Sequence, residues 1–241
     1  HYPLRRQRQM CIRDRSRISP YWESPGCSTT PTSTSASPSA QGQSSPSCWS
    51  GRRRTKPPRC VNPRCDLGRS MFDRGLTHGS TGNISARNED GDILVTPTGS
   101  SFGRLTPEDI VTVTTSGQII GKKNPTKELF LHKAFYENKE SNTGAVFHLH
   151  STYSVAYSML PDLDEDNVFP ALTPYSIMLL GRVKLIPFFV PGDMALGEAI
   201  RGVAGKSSAV LLANHGPVVA GKNLEAAANA IEELENTAKL A

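Results

Sequence analysis

The sequence predicts an α/β domain in which helices cover both faces of a mixed, largely antiparallel sheet. Three observations support this fold class. Short apolar runs of strand length alternate with segments of helical periodicity, turn residues such as Asp90-Gly91 separate neighbouring runs, and these signals all lie after residue 62. Interleaved elements of this kind pack as helical layers against one sheet. Residues 63–241 are long enough to bury a core as one domain.

The first part of this domain is predicted to contain one helix followed by hairpins. A helical pattern begins at Asp66, and the segment after the GSTGNIS turn pairs with Ile93–Val95 through the Asp90-Gly91 turn. Thr106 is a plausible cap for a helical turn that has proline at its first position. Two strands follow, at residues 110–114 and 118–120.

The second part alternates helices and strands more regularly. A helix is predicted to start at Thr126 as N-cap, with an acidic first turn. The final helix is capped by Asn223 and has one apolar stripe. It reaches Ala241 without a stop signal, so we expect the chain to be truncated within it. Between these helices we predict a strand at 145–150, a helix at 155–160, a strand at 183–189, a helix from about 193 to 203 and a buried strand at 209–213.

Residues 1–62 differ in composition from the rest of the chain. Residues 1–65 carry a net charge of +10 and all five cysteines, and residues 28–50 are rich in Ser, Thr and Pro. Such a segment cannot bury enough apolar surface to offset the entropy of ordering. We therefore expect residues 1–62 to be disordered or non-native. The second possibility rests on the segment QRQMCIRDR, which resembles translated sequencing-adapter sequence. A transit peptide and a nucleic-acid-binding arm are the alternative interpretations.

The charge of the remaining chain argues against several classes of protein. Residues 66–241 carry a net charge of −5 and contain no cysteine. An acidic domain of this kind is not expected to bind nucleic acid. No apolar run approaches the roughly 18 residues of a membrane helix, and the N-terminus lacks the apolar region of a secretory signal. The sequence therefore predicts a cytoplasmic protein with no membrane partner.

Three histidines lie where a catalytic metal ion could bind. His148 and His150 are separated by one residue of a predicted strand, and the two-residue period of a strand places both imidazoles on one face. His215 follows a buried strand, where Gly216 turns the chain. Three neutral imidazoles are a common ligand set for a divalent cation, most often zinc, with a position open for substrate. The alternative for each histidine is a hydrogen-bonded place in the core.

Two other histidines are interpreted as structural. His132 lies four residues after Glu128, a spacing that could form a rival pair on one helix face, but a structural role is favoured. His78 is most simply a loop residue.

Two glycine-rich loops and one helix start could hold an anion. The segments GSTGNIS and TPTGSS can direct backbone N–H groups and hydroxyls at a phosphate, although ordinary turns are the alternative interpretation. Neither matches the nucleotide-binding fingerprints. Thr126, Lys127 and Glu128 add a helix N-terminus with a cation.

Taken together, the motifs GSTGNIS, TPTG, PTKE, HLHST and ANHGP, in this order, resemble the class II aldolase/adducin family over about residues 64–241. Within that family the pattern is most similar to the 3-oxo-tetronate 4-phosphate decarboxylase branch. The resemblance implies a three-layer α/β/α sandwich and a homotetramer with active sites between subunits. It also implies one divalent metal ion, bound by His148, His150, His215 and, without substrate, by the acid/base Glu128. The substrate phosphate would be held by Gly82, Asn83, Thr98, Gly99, Thr126 and Lys127.

The implied reaction is decarboxylation of a phosphorylated four-carbon sugar acid through a metal-stabilised enediolate, which yields dihydroxyacetone phosphate and CO2. A sugar-phosphate aldolase or epimerase, or a methylthioribulose-phosphate dehydratase, is the alternative within the family. A non-catalytic, adducin-like binding module is the alternative of another class. The presence of Glu128 and the three histidines argues against such a module.

Overall fold

The computed structural model describes residues 62–138, 142–190 and 192–241. The prediction that residues 1–62 are disordered or non-native lies outside this range, except for Asn62. The Asn62 side chain accepts a hydrogen bond from the Arg64 backbone N–H at 3.1 Å and so caps the first helix. Within the described part of the chain, no helix has both the length and the apolar character needed to cross a membrane.

Strands and helices alternate along the described residues. The strands are β1 (Asn83–Arg87), β2 (Ile93–Val95), β3 (Val111–Val113), β4 (Ile119–Ile120), β5 (Ala145–His148), β6 (Lys184–Ile186), β7 (Ala209–Leu212) and β8 (Gly216–Gly221). The helices are α1 (Pro63–Asp73), α2 (Leu129–Tyr136), α3 (Thr152–Tyr157), α4 (Pro174–Leu180), α5 (Ala195–Arg201) and α6 (Leu224–Leu240). Short 3-10 turns occur at Phe102–Arg104 and Pro107–Asp109.

The strands form one eight-stranded sheet in the order β4-β3-β2-β1-β5-β8-β7-β6. Among the described strands only β6 and β7 pair in parallel. The predicted mixed, largely antiparallel sheet is therefore confirmed. The Asp90-Gly91 turn joins β1 to β2 as predicted, with Arg87 opposite Ile93.

Two hydrophobic cores lie on the two faces of the sheet. Phe147 and Leu211 point to the face that α1 and α6 cover, whereas their neighbours Val146 and Val210 point to the face that α2 and α5 cover. This alternation is the two-residue period of strands buried on both sides. The predicted three-layer α/β/α arrangement is confirmed.

Several predicted boundaries differ from the structure. The prediction of Thr126 as the N-cap of α2 is wrong, because the helix begins at Leu129 and its N-cap is Glu128. Strand β5 ends at His148 rather than at residue 150. The predicted cap of α6 is confirmed, since the Asn223 side chain accepts from the Ala226 N–H at 2.8 Å.

Candidate metal centre and cleft

Four side chains from three separate segments converge on one point. The candidate ligand atoms of Glu128, His148, His150 and His215 all lie within 4.8 Å of one another. His148 Nε2 lies 3.1 Å from His150 Nε2 and 3.3 Å from His215 Nε2. The Glu128 carboxylate approaches both His215 Nε2, at 3.3 Å, and His148 Nε2, at 3.5 Å. The structure thus brings together all four residues that the sequence singled out for the metal.

The order of strands explains this convergence. Strands β5 and β8 are antiparallel neighbours, with His148 opposite Val218. His150 therefore leaves β5 close to the point where the chain enters β8 after His215. On the other side of β5, Asn83 of β1 is opposite His148. The centre lies at the end of the sheet where β5 stops and β1 and β8 start.

Two glycines allow the backbones around the centre to approach closely. Gly216 has a φ of +143°, and a Cβ there would lie 2.3 Å from the Leu149 carbonyl oxygen. Gly82 has a φ of +80°, and its Cβ would lie 2.9 Å from the His148 carbonyl oxygen. Real Cβ atoms do not tolerate such distances, so both positions need glycine.

His148 is oriented by the backbone of the neighbouring strand. Its side chain is fully buried, and its Nδ1–H donates to the Pro217 carbonyl at 2.9 Å. The second ring nitrogen, Nε2, is then unprotonated in the neutral ring and directs its lone pair at the cluster. A backbone carbonyl behind a ligating imidazole is a frequent arrangement in metal sites.

The surroundings favour neutral imidazoles. Burial lowers the pKa of His148 to about 3, although the Glu128 carboxylate opposes this effect. Burial and the neighbouring His215 also lower the pKa of His150. Neutral imidazole is the form that binds a cation, so these histidines need not lose a proton first near neutral pH.

The Glu128 carboxyl is held in the opposite, charged state. Burial by itself raises its pKa, but hydrogen bonding with His215, the nearby His148 and the Asn83 amide outweigh burial and lower it. Its side chain remains 23% exposed, so solvent or a bound molecule can reach it. A charged, reachable carboxylate next to three imidazoles can act as a ligand or as an acid/base group.

The donor set fits a divalent cation. His148 Nε2 lies 3.1 and 3.3 Å from two other imidazole nitrogens, and unprotonated nitrogens this close repel each other unless they share a cation. Ligands about 2.0–2.1 Å from a tetrahedral zinc ion are separated from each other by roughly 3.3 Å. The observed spacings and the mixture of imidazole and carboxylate donors match this requirement.

The predicted phosphate-binding residues lie in three adjoining segments. Gly82 and Asn83 lie at the start of β1, and a network of backbone bonds joins the two other segments. The Thr126 N–H bonds to the Thr96 carbonyl, and the Thr98 N–H bonds to the Asn124 carbonyl, each at 3.1 Å. Thr98, Gly99 and Lys127 are exposed, whereas Thr126 is buried.

Asn83 is the exception among these residues, because other side chains already occupy its amide group. It is only 4% exposed. Its Nδ2 atom donates to Glu128 at 2.7 Å, and its Oδ1 atom lies 2.5 Å from His132 Nε2. The side chain therefore connects the centre to the interior of the fold.

A cleft of about 630 Å³ opens beside the metal residues. Glu128, His150 and His215 line it. Most of the remaining lining is apolar and includes Val155, Ala156, Met159, Phe188 and Phe189. A small molecule that enters the cleft would reach three of the four candidate metal ligands.

Sequence reasoning missed two features of this region and the partners of a third residue. His78, interpreted as a loop residue, lines the cleft. His132 is fully buried, in agreement with the structural role favoured for it, but its bond to Asn83 was not foreseen. Glu235 of α6 bonds to the start of α3, which directly follows the His150 segment. The four-residue spacing between Glu128 and His132 was the one available signal.

Comparison with known proteins agrees with this geometry. The family model described as the class II aldolase and adducin N-terminal domain matches residues 63–241. A 3-oxo-tetronate 4-phosphate decarboxylase from Pectobacterium atrosepticum is 48% identical over 174 residues, which cover 72% of this chain and 79% of that protein. An L-fuculose phosphate aldolase from Methanococcus maripaludis is 38% identical over 173 residues, which cover 71% of this chain and 90% of that protein. The crystal structure of YgbL from Escherichia coli matches with a TM-score of 0.71 and 44% identity, covering 73% of this chain and 85% of that chain.

Proposed function

The chain belongs to the class II aldolase and adducin family, and from this premise we propose that it is a metal-dependent carboxy-lyase. Its reaction is the decarboxylation of a 3-oxo-tetronate 4-phosphate to dihydroxyacetone phosphate and CO2. The observation that carries this proposal is the convergence of Glu128 with three histidines in a chain that is 43–48% identical to decarboxylases of this name.

The reaction follows from the position of the keto group. The carboxylate carbon C1 is bonded to C2, which is adjacent to the carbonyl at C3. When the C1–C2 bond breaks, its electron pair moves towards the C3 oxygen and CO2 leaves. One proton must then reach C2, which restores the ketone as dihydroxyacetone phosphate. The bound divalent cation would supply Lewis-acid stabilisation of negative charge on the C3 oxygen.

Glu128 is the proposed source of that proton. Its carboxylate lies at the wall of the cleft, within 3.5 Å of two of the imidazoles. Glu128 takes a proton from solvent and passes it to C2, which regenerates the carboxylate for the next cycle. One proton is consumed for each CO2 released. His148, His150 and His215 would hold the cation, together with Glu128 when no substrate is bound.

The substrate phosphate is proposed to bind to Gly82, Asn83, Thr98, Gly99, Thr126 and Lys127. Two arguments support this set. The three segments that carry these residues are joined by backbone hydrogen bonds, and the Lys127 side chain is exposed. A lysine together with loop N–H groups is a frequent combination for a phosphate.

We further propose zinc as the cation, a homotetramer as the assembly and the cytoplasm as the compartment. Imidazole nitrogens and carboxylate oxygens are both zinc ligands, and three imidazoles with one further position are a known catalytic zinc site. The surface of α4 supports self-association, because Tyr175 is 65% exposed and Met178 is 76% exposed. Apolar side chains grouped in this way are usually covered by a partner. The acidic domain, without cysteines after Cys65, is suited to a reducing compartment.

A sugar-phosphate aldolase is the second candidate function. The 38% identity to an L-fuculose phosphate aldolase favours it specifically. Both reactions move an electron pair onto a keto oxygen beside the bond that breaks, and they differ in whether CO2 or an aldehyde leaves. The metal residues therefore fit either reaction.

A substrate panel distinguishes the two candidates. The purified chain would be offered the 4-phosphates of 3-oxo-erythronate and 3-oxo-threonate, beside fuculose and ribulose phosphates. We expect CO2 and dihydroxyacetone phosphate in equal amounts from an oxo-acid. Retro-aldol products alone would overturn the proposal.

A further inference from the structure

A chain of four hydrogen bonds runs from Glu128 into the interior of the fold. Asn83 Nδ2 lies 2.7 Å from Glu128 Oε2, and His132 Nε2 lies 2.5 Å from Asn83 Oδ1. On the far side of the imidazole ring, Ser85 Oγ lies 2.7 Å from His132 Nδ1. Tyr136 OH completes the chain at 2.9 Å from Ser85 Oγ. The three inner side chains, Asn83, His132 and Ser85, each have a hydrogen-bond partner on both sides.

Two secondary-structure elements hold this chain in place. Asn83 and Ser85 are two residues apart on β1, and His132 and Tyr136 are four residues apart on α2, so each pair shares a face. His132 and Ser85 are fully buried. Asn83 and Tyr136 are buried as well, so little water can compete for these hydrogen bonds.

The direction of the chain is set at its Glu128 end. A carboxylate can only accept hydrogen bonds, so Asn83 must face it with the N–H group of its amide. The Asn83 carbonyl oxygen then faces His132, whose Nε2 atom must carry the proton and donate. In a neutral ring Nδ1 is therefore unprotonated and accepts from the Ser85 hydroxyl. The Ser85 oxygen in turn accepts from the Tyr136 hydroxyl.

We propose that His132 is a positioning residue for Glu128. Its Nε2–H donates to Asn83 Oδ1 and so holds the Asn83 amide with its N–H group towards the carboxylate. This inference rests on the proposed role of Glu128 as the proton source. Without the donor from His132, the Asn83 carbonyl oxygen loses its partner and only Glu128 itself orients the amide, so neither Asn83 nor the carboxylate that it contacts is held in a fixed position.

The environment of the chain supports this direction. Burial lowers the pKa of His132 to about 4, with Glu128 opposing, so the ring is neutral near pH 7 and can accept at Nδ1. Burial also raises the pKa of the Tyr136 hydroxyl, which therefore keeps its proton and remains a donor. Burial likewise stabilises the geometry, because hydrogen bonds shielded from water are costly to break.

Two matched variants test the role of the Nε2–H group. The amide of glutamine extends to about the place of a histidine Nε2 atom, whereas the shorter asparagine reaches only the place of Nδ1. We expect His132→Gln to keep kcat within about threefold. We expect His132→Asn to lower kcat by about ten- to a hundredfold, because it loses the hydrogen bond to Asn83, the residue that contacts the Glu128 carboxylate. The bound-metal content should stay unchanged in both.

The tautomer of His132 provides a test that needs no turnover. Long-range 1H–15N spectra of the zinc-loaded full chain, labelled at histidine, should show His132 protonated at Nε2 and unprotonated at Nδ1. A ring protonated at Nδ1 would overturn the proposal, even if decarboxylation is established. Equal losses of kcat in the two variants, or no loss in His132→Asn, would also overturn it, because a purely structural role predicts those results. If the protein does not decarboxylate the oxo-acids, the tautomer of His132 still tests the direction of the four hydrogen bonds.

Discussion

The Glu235 carboxylate of α6 caps the first turn of α3 by accepting two hydrogen bonds from Ser154. The Ser154 backbone N–H lies 2.9 Å from Glu235 Oε2, and the hydroxyl of Ser154 lies 2.5 Å from the same atom. The Tyr153 N–H donates to Oε1 at 2.9 Å. Because α3 follows His150 by one residue, this contact connects the last helix to the metal-binding segment.

Removing this cap should weaken the metal centre from a distance. Glu235→Gln replaces one acceptor oxygen by a donor, so we expect the free energy of unfolding to fall by about 1–3 kcal/mol. Metal affinity should fall as well, because the His150 segment loses its anchor. Urea unfolding and a competitive chelator titration measure the two effects. The matched control, Glu225→Gln, lies in the exposed first turn of the same helix and should cost only a few tenths of a kcal/mol. Equal losses in both variants would contradict the anchoring role.

The histidine cluster should bind one divalent ion per chain. We expect His148→Ala to lose both the metal and turnover, because His148 Nε2 lies only 3.1 and 3.3 Å from two of the other candidate ligand atoms. Elemental analysis of the purified protein measures the metal. His78→Ala is a matched control, since His78 lines the cleft but is not part of the cluster, and it should keep its metal. If the unsubstituted protein contained no stoichiometric metal, this result would contradict the proposed metal centre.

Glu128 should be needed more for proton transfer than for metal binding. Glu128→Gln keeps the shape of the side chain, and the three histidines remain as ligands. We expect kcat to fall by about 10²- to 10⁴-fold, the usual range for loss of a general acid, while most of the metal stays bound. Turnover measured by CO2 release, beside elemental analysis, tests this. Unchanged activity would remove Glu128 from the proposed role.

The stability of the fold should decrease in mild acid because buried histidines resist protonation. Burial lowers the pKa of His132 from 6.5 to about 4, so between these values the unfolded chain binds the extra proton. The free energy of unfolding should therefore fall as the pH drops from 6.5 to 4, by about 3 kcal/mol from this residue. His148 acts in the same direction. Urea unfolding at pH 7, 6 and 5 measures the slope, which should be shallower in His132→Gln. An identical slope in that variant would contradict the assignment to His132.

The metal residues could be predicted because their signals are local. His148 and His150 are two residues apart, and His215 precedes a glycine at the end of an apolar run. The two-residue period was sufficient to group the first pair, although β5 ends at His148 and His150 lies just beyond it. The three histidines converge with Glu128 because β1, β5 and β8 are neighbours in the sheet. Only the resemblance to a known family could predict this strand order.

Other features escaped prediction because they depend on distant residues. Strand β8 begins with Gly216-Pro217, which is typical of a turn, and it forms a central strand because β5 and β7 pair with it on both sides. The contact of Ser85 with Tyr136 joins residues 51 positions apart. A glutamate on α6 is ordinarily solvated, and only tertiary packing places Glu235 against α3.

The close approach at Gly216 should be essential for the metal-binding loop. A Cβ at this position would lie 2.3 Å from the Leu149 carbonyl oxygen, and the φ of +143° is unfavourable for other residues. We expect Gly216→Ala to lower the free energy of unfolding by about 3 kcal/mol or more, since backbone atoms cannot move aside cheaply. Gly117→Ala is the matched control, because Gly117 also has a positive φ but no atom lies within 4 Å of its Cβ position. Its cost should be about 1 kcal/mol, from conformational strain alone. Urea unfolding compares the two, and equal costs would show that the contact with the His150 segment does not constrain residue 216.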